Sequence, residues 1–96
     1  MPESPEPLSD LIESLIDLLF TESDQEEVRF LLSQIEGDVR GSERIQIAAI
    51  KSSNSDTTEL AACIDEANRD WRDLLMGAGF GHDVNAHIKW ARDQLD

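Results

Sequence analysis

The chain has 96 residues, of which 21 are acidic and 8 are basic, and its formal net charge at pH 7 is −13. This length predicts one domain with a single modest core. The charge argues against direct binding of nucleic acid, because phosphates are repelled, whereas 40 % hydrophobic residues argue against global disorder.

The N-terminal part of the chain contains a tail and a first helix. Residues 1–7 hold three prolines and two glutamates, which predicts a flexible acidic tail ahead of a single helical domain over residues 8–96. Apolar residues then recur at helical spacing, which predicts a helix over residues 8–20. Ser9 or Asp10 is the expected N-cap of this helix.

Two further helices are predicted in the middle of the chain. Ser23 and Glu26 have the spacing of a capping box and begin a helix over residues 23–36, which Gly37 is placed to end. The next segment is ambiguous, because its isoleucines alternate as in a strand while its alanines favour helix. We predict a short helix over residues 43–52.

The C-terminal half predicts a long helix and a final short one. The long helix covers residues 57–76, with Asp56 as its N-cap and Gly77 at its end. The final helix covers residues 83–95, with Asp83 as its N-cap. Five helices without a convincing strand pattern predict an all-α fold, either a small bundle or an orthogonal array.

Three glycines, Gly77, Gly79 and Gly81, alternate in the loop before the last helix. A dinucleotide-binding fingerprint has the spacing G-x-G-x-x-G and follows a strand, whereas this loop has G-x-G-x-G and follows a helix. The loop is therefore predicted to be a turn with unusual backbone angles at Gly79 or Gly81. Phe80 is expected to enter the core and fix the turn.

The candidate metal ligands are His82, Asp83 and His87, because Asp83 and His87 lie one helical turn apart. A zinc site normally needs a fourth ligand or water, and nothing fixes Cys63 beside them. We therefore expect Asp83 to act as an N-cap and both histidines to lie at the surface, with no metal or cofactor bound. Acidic neighbours raise the pKa of a thiol, so Cys63 is not expected to be a nucleophile.

The cellular location is predicted to be the cytoplasm. The only cysteine of the chain cannot form an intrachain disulfide, which indicates a reducing compartment. The sequence begins without the pattern of a signal peptide, and no apolar run reaches the length of a membrane span. A membrane is therefore not an expected partner.

The string RDWRD, residues 69–73, is the most distinctive local pattern. Asp65, Arg69 and Asp73 follow one another at intervals of four residues, which predicts a ladder of ion pairs along one helix face. Asp70 lies outside this ladder, and Arg44 is the basic residue best placed to pair with it. The residues with predicted structural roles are Arg44, Asp70, Trp71 on the core side of the helix, and Asp73.

The runs ERIQIAAIK and ELAACIDEANRDWRDLL resemble a pattern found in small bacterial proteins of unassigned function. Those proteins carry an E-R-[IV]-Q segment followed by a long helix that ends in D-[WY]-R-D. The matching residues are Glu43, Arg44, Ile45, Gln46, Ala67, Asp70, Trp71, Arg72, Asp73 and Leu75. The resemblance covers residues 43–81 and implies only that these two clusters belong to one structural unit; no activity and no catalytic residues come with it.

The leading functional prediction is a non-enzymatic protein that acts through contacts with a protein partner or with a second copy of itself. The predicted interaction face is the wide apolar side of the first helix, at Leu11, Leu15, Leu18 and Leu19. The alternative for this face is that it closes the core of its own domain. The alternative functions are an acidic regulator that mimics nucleic acid on a DNA-binding protein, or a small metal-binding protein.

Overall fold

The computed structural model describes residues 9–35, 43–81 and 85–96. These residues form five α-helices and no strand, which confirms the predicted all-α fold. The helices are α1 (Asp10–Leu19), α2 (Glu22–Ser33), α3 (Glu43–Ser53), α4 (Thr57–Ala78) and α5 (Ala86–Leu95). The predicted tail and Gly37 lie outside the described residues, but α2 ends at Ser33 with Gln34 as C-cap, so the predicted helix end at residue 36 was wrong.

The N-termini of α1 and α4 are capped as predicted. The hydroxyl of Ser9 accepts a hydrogen bond from the backbone N–H of Ile12 at 3.3 Å. The Asp56 carboxylate accepts from the N–H groups of Thr58 at 2.7 Å and Glu59 at 3.2 Å. Each side chain satisfies helix-terminal donors that have no partner within the helix.

Helix α2 begins earlier than the capping box predicts. Its N-cap is Thr21, and Ser23 lies inside the first turn, so Ser23 as N-cap was wrong. The reason is the short connection from α1, which consists of two extended residues: Phe20, which is buried in the core, and Thr21, after which α2 starts. The Gln25 side chain then donates to the carbonyl of Phe20 at 3.3 Å and holds this connection.

Helix α3 is the most buried element, and its burial explains its ambiguous sequence. Its core residues are Ile45, Ile47, Ala48, Ala49, Ile50 and Ser53. Because four consecutive residues, 47–50, are buried, neither the strand period nor the helical period stands out in the sequence. The helix packs against α4, α5 and α1, so it forms the centre of the core.

Helix α4 is interrupted at Asp70. The backbone of Asp70 is extended, with φ −155° and ψ 89°, between two helical sections over residues 57–69 and 71–78. Its carboxylate accepts a hydrogen bond from the N–H of Arg72 at 3.2 Å. This is the geometry of an N-cap, so Asp70 ends the first section and begins the second.

The C-terminus of α4 lies at Ala78, two residues past the predicted end at residue 76, so Gly77 as the terminating glycine was wrong. Gly79 adopts a left-handed conformation, with φ 83°, and its N–H bonds to the carbonyl of Met76 at 3.1 Å. The N–H of Phe80 bonds to the carbonyl of Leu75 at 2.9 Å, which completes a Schellman motif. Phe80 is buried, as predicted.

Helix α5 begins at Ala86, with Asn85 as N-cap, and therefore starts later than predicted. The predicted cap Asp83 lies outside the described residues. The core face of α5 contains His87 and Ala91, whereas Leu95 is exposed at the helix end. Among the described residues, no helix is long and apolar enough to cross a membrane.

Candidate functional site

The predicted interaction face of α1 is largely part of the core. Leu15 is fully buried in the core of this chain, which agrees with the alternative given for this face, and it is not open to a partner. Leu11 and Leu19 are half-buried and pack against the core. Leu18 is 52 % exposed and is the residue of this face that is open to a partner. The physical reason is that a chain of this length needs most of one apolar helix face to close its own core.

The surroundings of Leu18 are acidic. Helix α1 carries Asp10, Glu13 and Asp17 and no basic residue. Glu13 is bound to Arg29 of α2, at 2.9 Å between carboxylate and guanidinium, and this hydrogen bond raises the pKa of Arg29 above its ordinary value. Asp10 and Asp17 are exposed, and Asp17 also attracts Arg29 electrostatically, so the open part of α1 combines a leucine with exposed carboxylates.

A second exposed apolar residue, Phe30 of α2, was missed from the sequence. Its side chain is 62 % exposed. The available signal was its position: Phe30 lies off the apolar stripe of α2, whose buried members are Val28 and Leu32. A large aromatic residue on the polar face of an amphipathic helix is a candidate contact residue, because interface hot spots are enriched in aromatic side chains.

The metal candidates are not brought together in the described structure. His82 and Asp83 lie outside the described residues. His87 is buried, which contradicts the expected surface position, and its ring meets the edge of Phe80 with 6.3 Å between ring centroids. Within residues 9–35, 43–81 and 85–96, no group of three or more His, Cys, Asp or Glu side chains could hold a metal ion.

Cys63 lines an acidic cavity of about 320 Å³ between α3 and α4. The carboxylates in its lining belong to Glu59, Glu66 and Asp73. Burial raises the pKa of the Cys63 thiol, and the negative charges of Glu66 and Glu59 raise it further. A thiol with a raised pKa stays protonated at neutral pH and is a poor nucleophile, which supports the prediction that Cys63 is not catalytic.

The predicted ion pair between Arg44 and Asp70 is not formed. Arg44 instead donates to the backbone carbonyl of Phe80 at 2.5 Å, and its buried Nε has no hydrogen-bond partner within the described part of the chain. The Asp70 carboxylate accepts from the N–H of Arg72 at 3.2 Å instead. Asp70 thus caps the start of the second section of α4, whereas Arg44 binds the turn that follows the end of this section.

The predicted ladder of Asp65, Arg69 and Asp73 is formed only in its first half. Arg69 and Asp65 lie 3.5 Å apart, and both side chains are exposed. Asp73 lies beyond the break at Asp70 and lines the acidic cavity instead. Trp71 packs against the core as expected, with the Arg72 guanidinium 5.2 Å from its ring centroid.

Two cations of α3 hold the turn after α4. Lys51 donates to the carbonyl of Ala78 at 2.6 Å, and its ammonium lies 5.0 Å from the ring centroid of Phe80. Arg44 binds the same turn two helical turns away on α3. Positive charges near a helix C-terminus donate to carbonyls that lack partners within the helix, and they interact favourably with the negative end of the helix dipole. These two side chains therefore fix the glycine-containing turn to α3.

Comparisons of this chain with family models, with curated proteins and with solved structures found no match.

Proposed function

We propose that this protein is non-enzymatic and acts through protein–protein contacts, with the exposed edge of α1 at Leu18 as its contact site. The observation that carries the proposal is the 52 % exposure of Leu18 beside the half-buried Leu11 and Leu19. An exposed leucine that continues into a half-buried apolar edge can be covered by a partner at little cost in polar desolvation.

The chemistry of the candidate catalytic groups supports the non-enzymatic part of the proposal. The Cys63 thiol has a raised pKa. The adjacent carboxylates of Glu26 and Glu27 are exposed to water, whereas general acid–base catalysis requires a carboxyl group placed within reach of the substrate in a cleft. Both features are typical of structural and surface residues.

Site-specific cross-linking tests the contact site. A photoreactive phenylalanine analogue is placed at Leu18, and in a matched control at Ala61, which is an exposed residue of α4. In lysate of the source cell, we expect a discrete cross-linked product from position 18 and none from position 61. A product of twice the chain mass identifies a second copy, and any other mass identifies a partner protein.

A polar variant separates the contact from the fold. Leu18→Ser should leave the free energy of unfolding within about 0.5 kcal/mol of the wild type, because the residue is exposed, and should compete poorly with the wild-type chain for the cross-linked partner. Leu15→Ala should instead lower the free energy of unfolding by about 2–5 kcal/mol, because it leaves a cavity in the core. Equal products from positions 18 and 61, or none from either, would contradict the proposal.

Mimicry of nucleic acid remains the alternative function. The observation that favours it is the charge of α1 and α2: residues 10–33 contain seven acidic side chains and one basic, Arg29, which is bound to Glu13. Duplex DNA added to the lysate distinguishes the two functions. A mimic loses its cross-linked partner to the DNA, whereas a partner of the Leu18 edge is retained.

A further inference from the structure

The outer face of α2 presents an aromatic ring among carboxylates. We define this face by Ser23, Glu26, Glu27, Phe30 and Ser33, all of which are exposed. Glu26 and Glu27 precede Phe30 by four and three residues, so both lie next to it on the helix surface. The 62 % exposure of Phe30 leaves most of its ring open to a ligand.

The carboxylates of this face, Glu26 and Glu27, form no ion pair with any residue that the structure describes. Arg29 is the only basic residue of α2; its guanidinium is bound to Glu13 of α1 and also attracts Glu26 electrostatically. The face therefore combines an open ring with Glu27 and with Glu26, whose charge Arg29 offsets in part.

We propose that the outer face of α2 binds a basic segment of a partner protein, with an arginine stacked on Phe30 and paired with Glu26 and Glu27. A guanidinium suits both groups at once, because its planar face stacks on an aromatic ring while its N–H groups donate to carboxylates. A lysine ammonium is a compact, strongly hydrated charge and matches this combination less well.

The same kind of contact already occurs inside this protein. The Arg72 guanidinium lies 5.2 Å from the ring centroid of Trp71, and the Lys51 ammonium lies 5.0 Å from that of Phe80. Among the described residues, no cation lies over the Phe30 ring, and we expect the cation there to come from another molecule. A second copy of this chain is not the expected source, since each copy carries a net charge of −13 and the face itself is acidic.

The inference shares with the proposed function the premise that the chain acts through contacts with a protein. It concerns a different surface, because the outer face of α2 does not include the Leu18 edge of α1. A partner that covers both surfaces would be amphipathic and basic. A partner that covers α2 alone would bind more weakly as salt increases, because exposed charges are screened within about 8 Å at physiological ionic strength.

Binding of a fluorescent nona-arginine peptide to the full chain tests the inference. The test variants are Phe30→Leu, which removes the ring but keeps an apolar side chain, and the double variant Glu26→Gln with Glu27→Gln. The matched control is Glu59→Gln with Glu66→Gln, which removes the same charge from the acidic cavity on α4. Circular dichroism confirms that each variant is folded.

We expect the wild type to bind nona-arginine more tightly than nona-lysine. The variant at Glu26 and Glu27 should raise the dissociation constant roughly tenfold, because two exposed pairs are lost. Phe30→Leu should raise it about threefold through loss of the cation–π contact. The control at Glu59 and Glu66 should change it less than about twofold, because those carboxylates act only through screened long-range charge.

Three results would overturn the inference: no binding of nona-arginine, an equal loss in the control variant, or no effect of Phe30→Leu. An equal loss would mean that the peptide follows the net charge of the protein. Leu18→Ser should leave nona-arginine binding unchanged. A protein that binds the peptide on α2 but gives no cross-link at position 18 therefore refutes the Leu18 contact site alone.

Discussion

At the residue scale, the turn between α4 and α5 depends on one backbone conformation. Gly79 is the only described glycine with a positive φ. The other two glycines of the G-x-G-x-G pattern, Gly77 and Gly81, differ from it in conformation and in the space around them. Gly77 lies inside α4, where an added Cβ would enter open space, whereas a Cβ on Gly81 would meet the side chain of Met76. The three alternating glycines therefore do not share one role.

Alanine substitutions at two of these glycines should have opposite effects. Gly79→Ala should lower the free energy of unfolding by about 1–2 kcal/mol, because a left-handed conformation is unfavourable for a residue with Cβ. Gly77→Ala should raise it by up to about 1 kcal/mol, because alanine favours the helix and meets no atom within 4 Å. Urea unfolding measures both values, and a loss at Gly77 as large as that at Gly79 would contradict this assignment.

Cys63 makes stability depend on alkaline pH. Its thiol pKa is raised in the folded state above the ordinary value of 9.0, first by burial and then by Glu66 and Glu59. Above pH 9 the unfolded chain loses the thiol proton while the folded chain retains it, so the unfolded state gains stability. This contribution is fully present below pH 9 and is lost as the pH rises through the folded-state pKa.

The comparison of wild type with Cys63→Ala isolates this effect. The free energy of unfolding of the wild type should fall more steeply above pH 9 than that of the variant, because only the wild type has this thiol to ionise. Other alkaline groups affect both proteins and cancel in the difference. Parallel pH dependences would show that the thiol has the same pKa in both states.

At the element scale, α4 consists of two helical sections joined at Asp70. The first section begins after the Asp56 cap, and α4 packs against α3. The second section ends in the Schellman motif, to which Lys51 and Arg44 donate hydrogen bonds. The distinctive sequence RDWRD is explained by this junction. Its first aspartate is an N-cap, which is a strong local preference of aspartate and a poor fit to a helix interior.

Substitutions at Asp70 should distinguish a cap from an ion pair. Asp70→Ala should lower the free energy of unfolding by about 1 kcal/mol, whereas Asp70→Asn should be close to neutral, because an amide oxygen also accepts the N–H of Arg72. Thermal unfolding followed by circular dichroism measures both. If Asp70→Asn lowers the free energy of unfolding as much as Asp70→Ala does, the negative charge of the carboxylate is required. Asp70 would then act in an ion pair and not as a cap.

At the scale of the whole molecule, negative charge is weakly compensated. Among the described residues, the ion pairs join Arg29 to Glu13 and Arg69 to Asp65, and the second of these is largely exposed to solvent. The radius of gyration, 12.4 Å, is shorter than the Debye length of about 30 Å at 0.01 M salt, so at low salt the excess carboxylates repel one another with little screening. Folding therefore acts against charge repulsion.

Salt should stabilise this protein. An increase in NaCl from about 10 mM to about 150 mM shortens the Debye length from about 30 Å to about 8 Å and so weakens the repulsion among carboxylates. The midpoint of thermal unfolding should rise over this range, and the control Glu59→Gln with Glu66→Gln should rise less. A midpoint that is independent of salt would show that the unfolded chain is repelled as strongly as the folded one.

The sequence by itself determined the helical class, the approximate helix positions and the cap at Asp56, and it limited the cap of α1 to Ser9 or Asp10. These features depend on local periodicity and on hydrogen bonds between residues close in the chain, so they can be read without knowing the packing. The burial of Phe80 and an unusual backbone conformation at Gly79 or Gly81 were also predicted locally. The structure decided that Gly79, and not Gly77 or Gly81, is the left-handed residue that ends α4.

Only the tertiary structure decided which apolar and charged residues remain available. Leu15 and Leu18 belong to one apolar helix side, yet the packing of neighbouring helices buries the first and leaves the second open. Arg44 reaches the carbonyl of Phe80, 36 residues away, and that choice depends on where α4 ends relative to α3. Such outcomes follow from long-range packing, to which the spacing of residues along a single helix is insensitive.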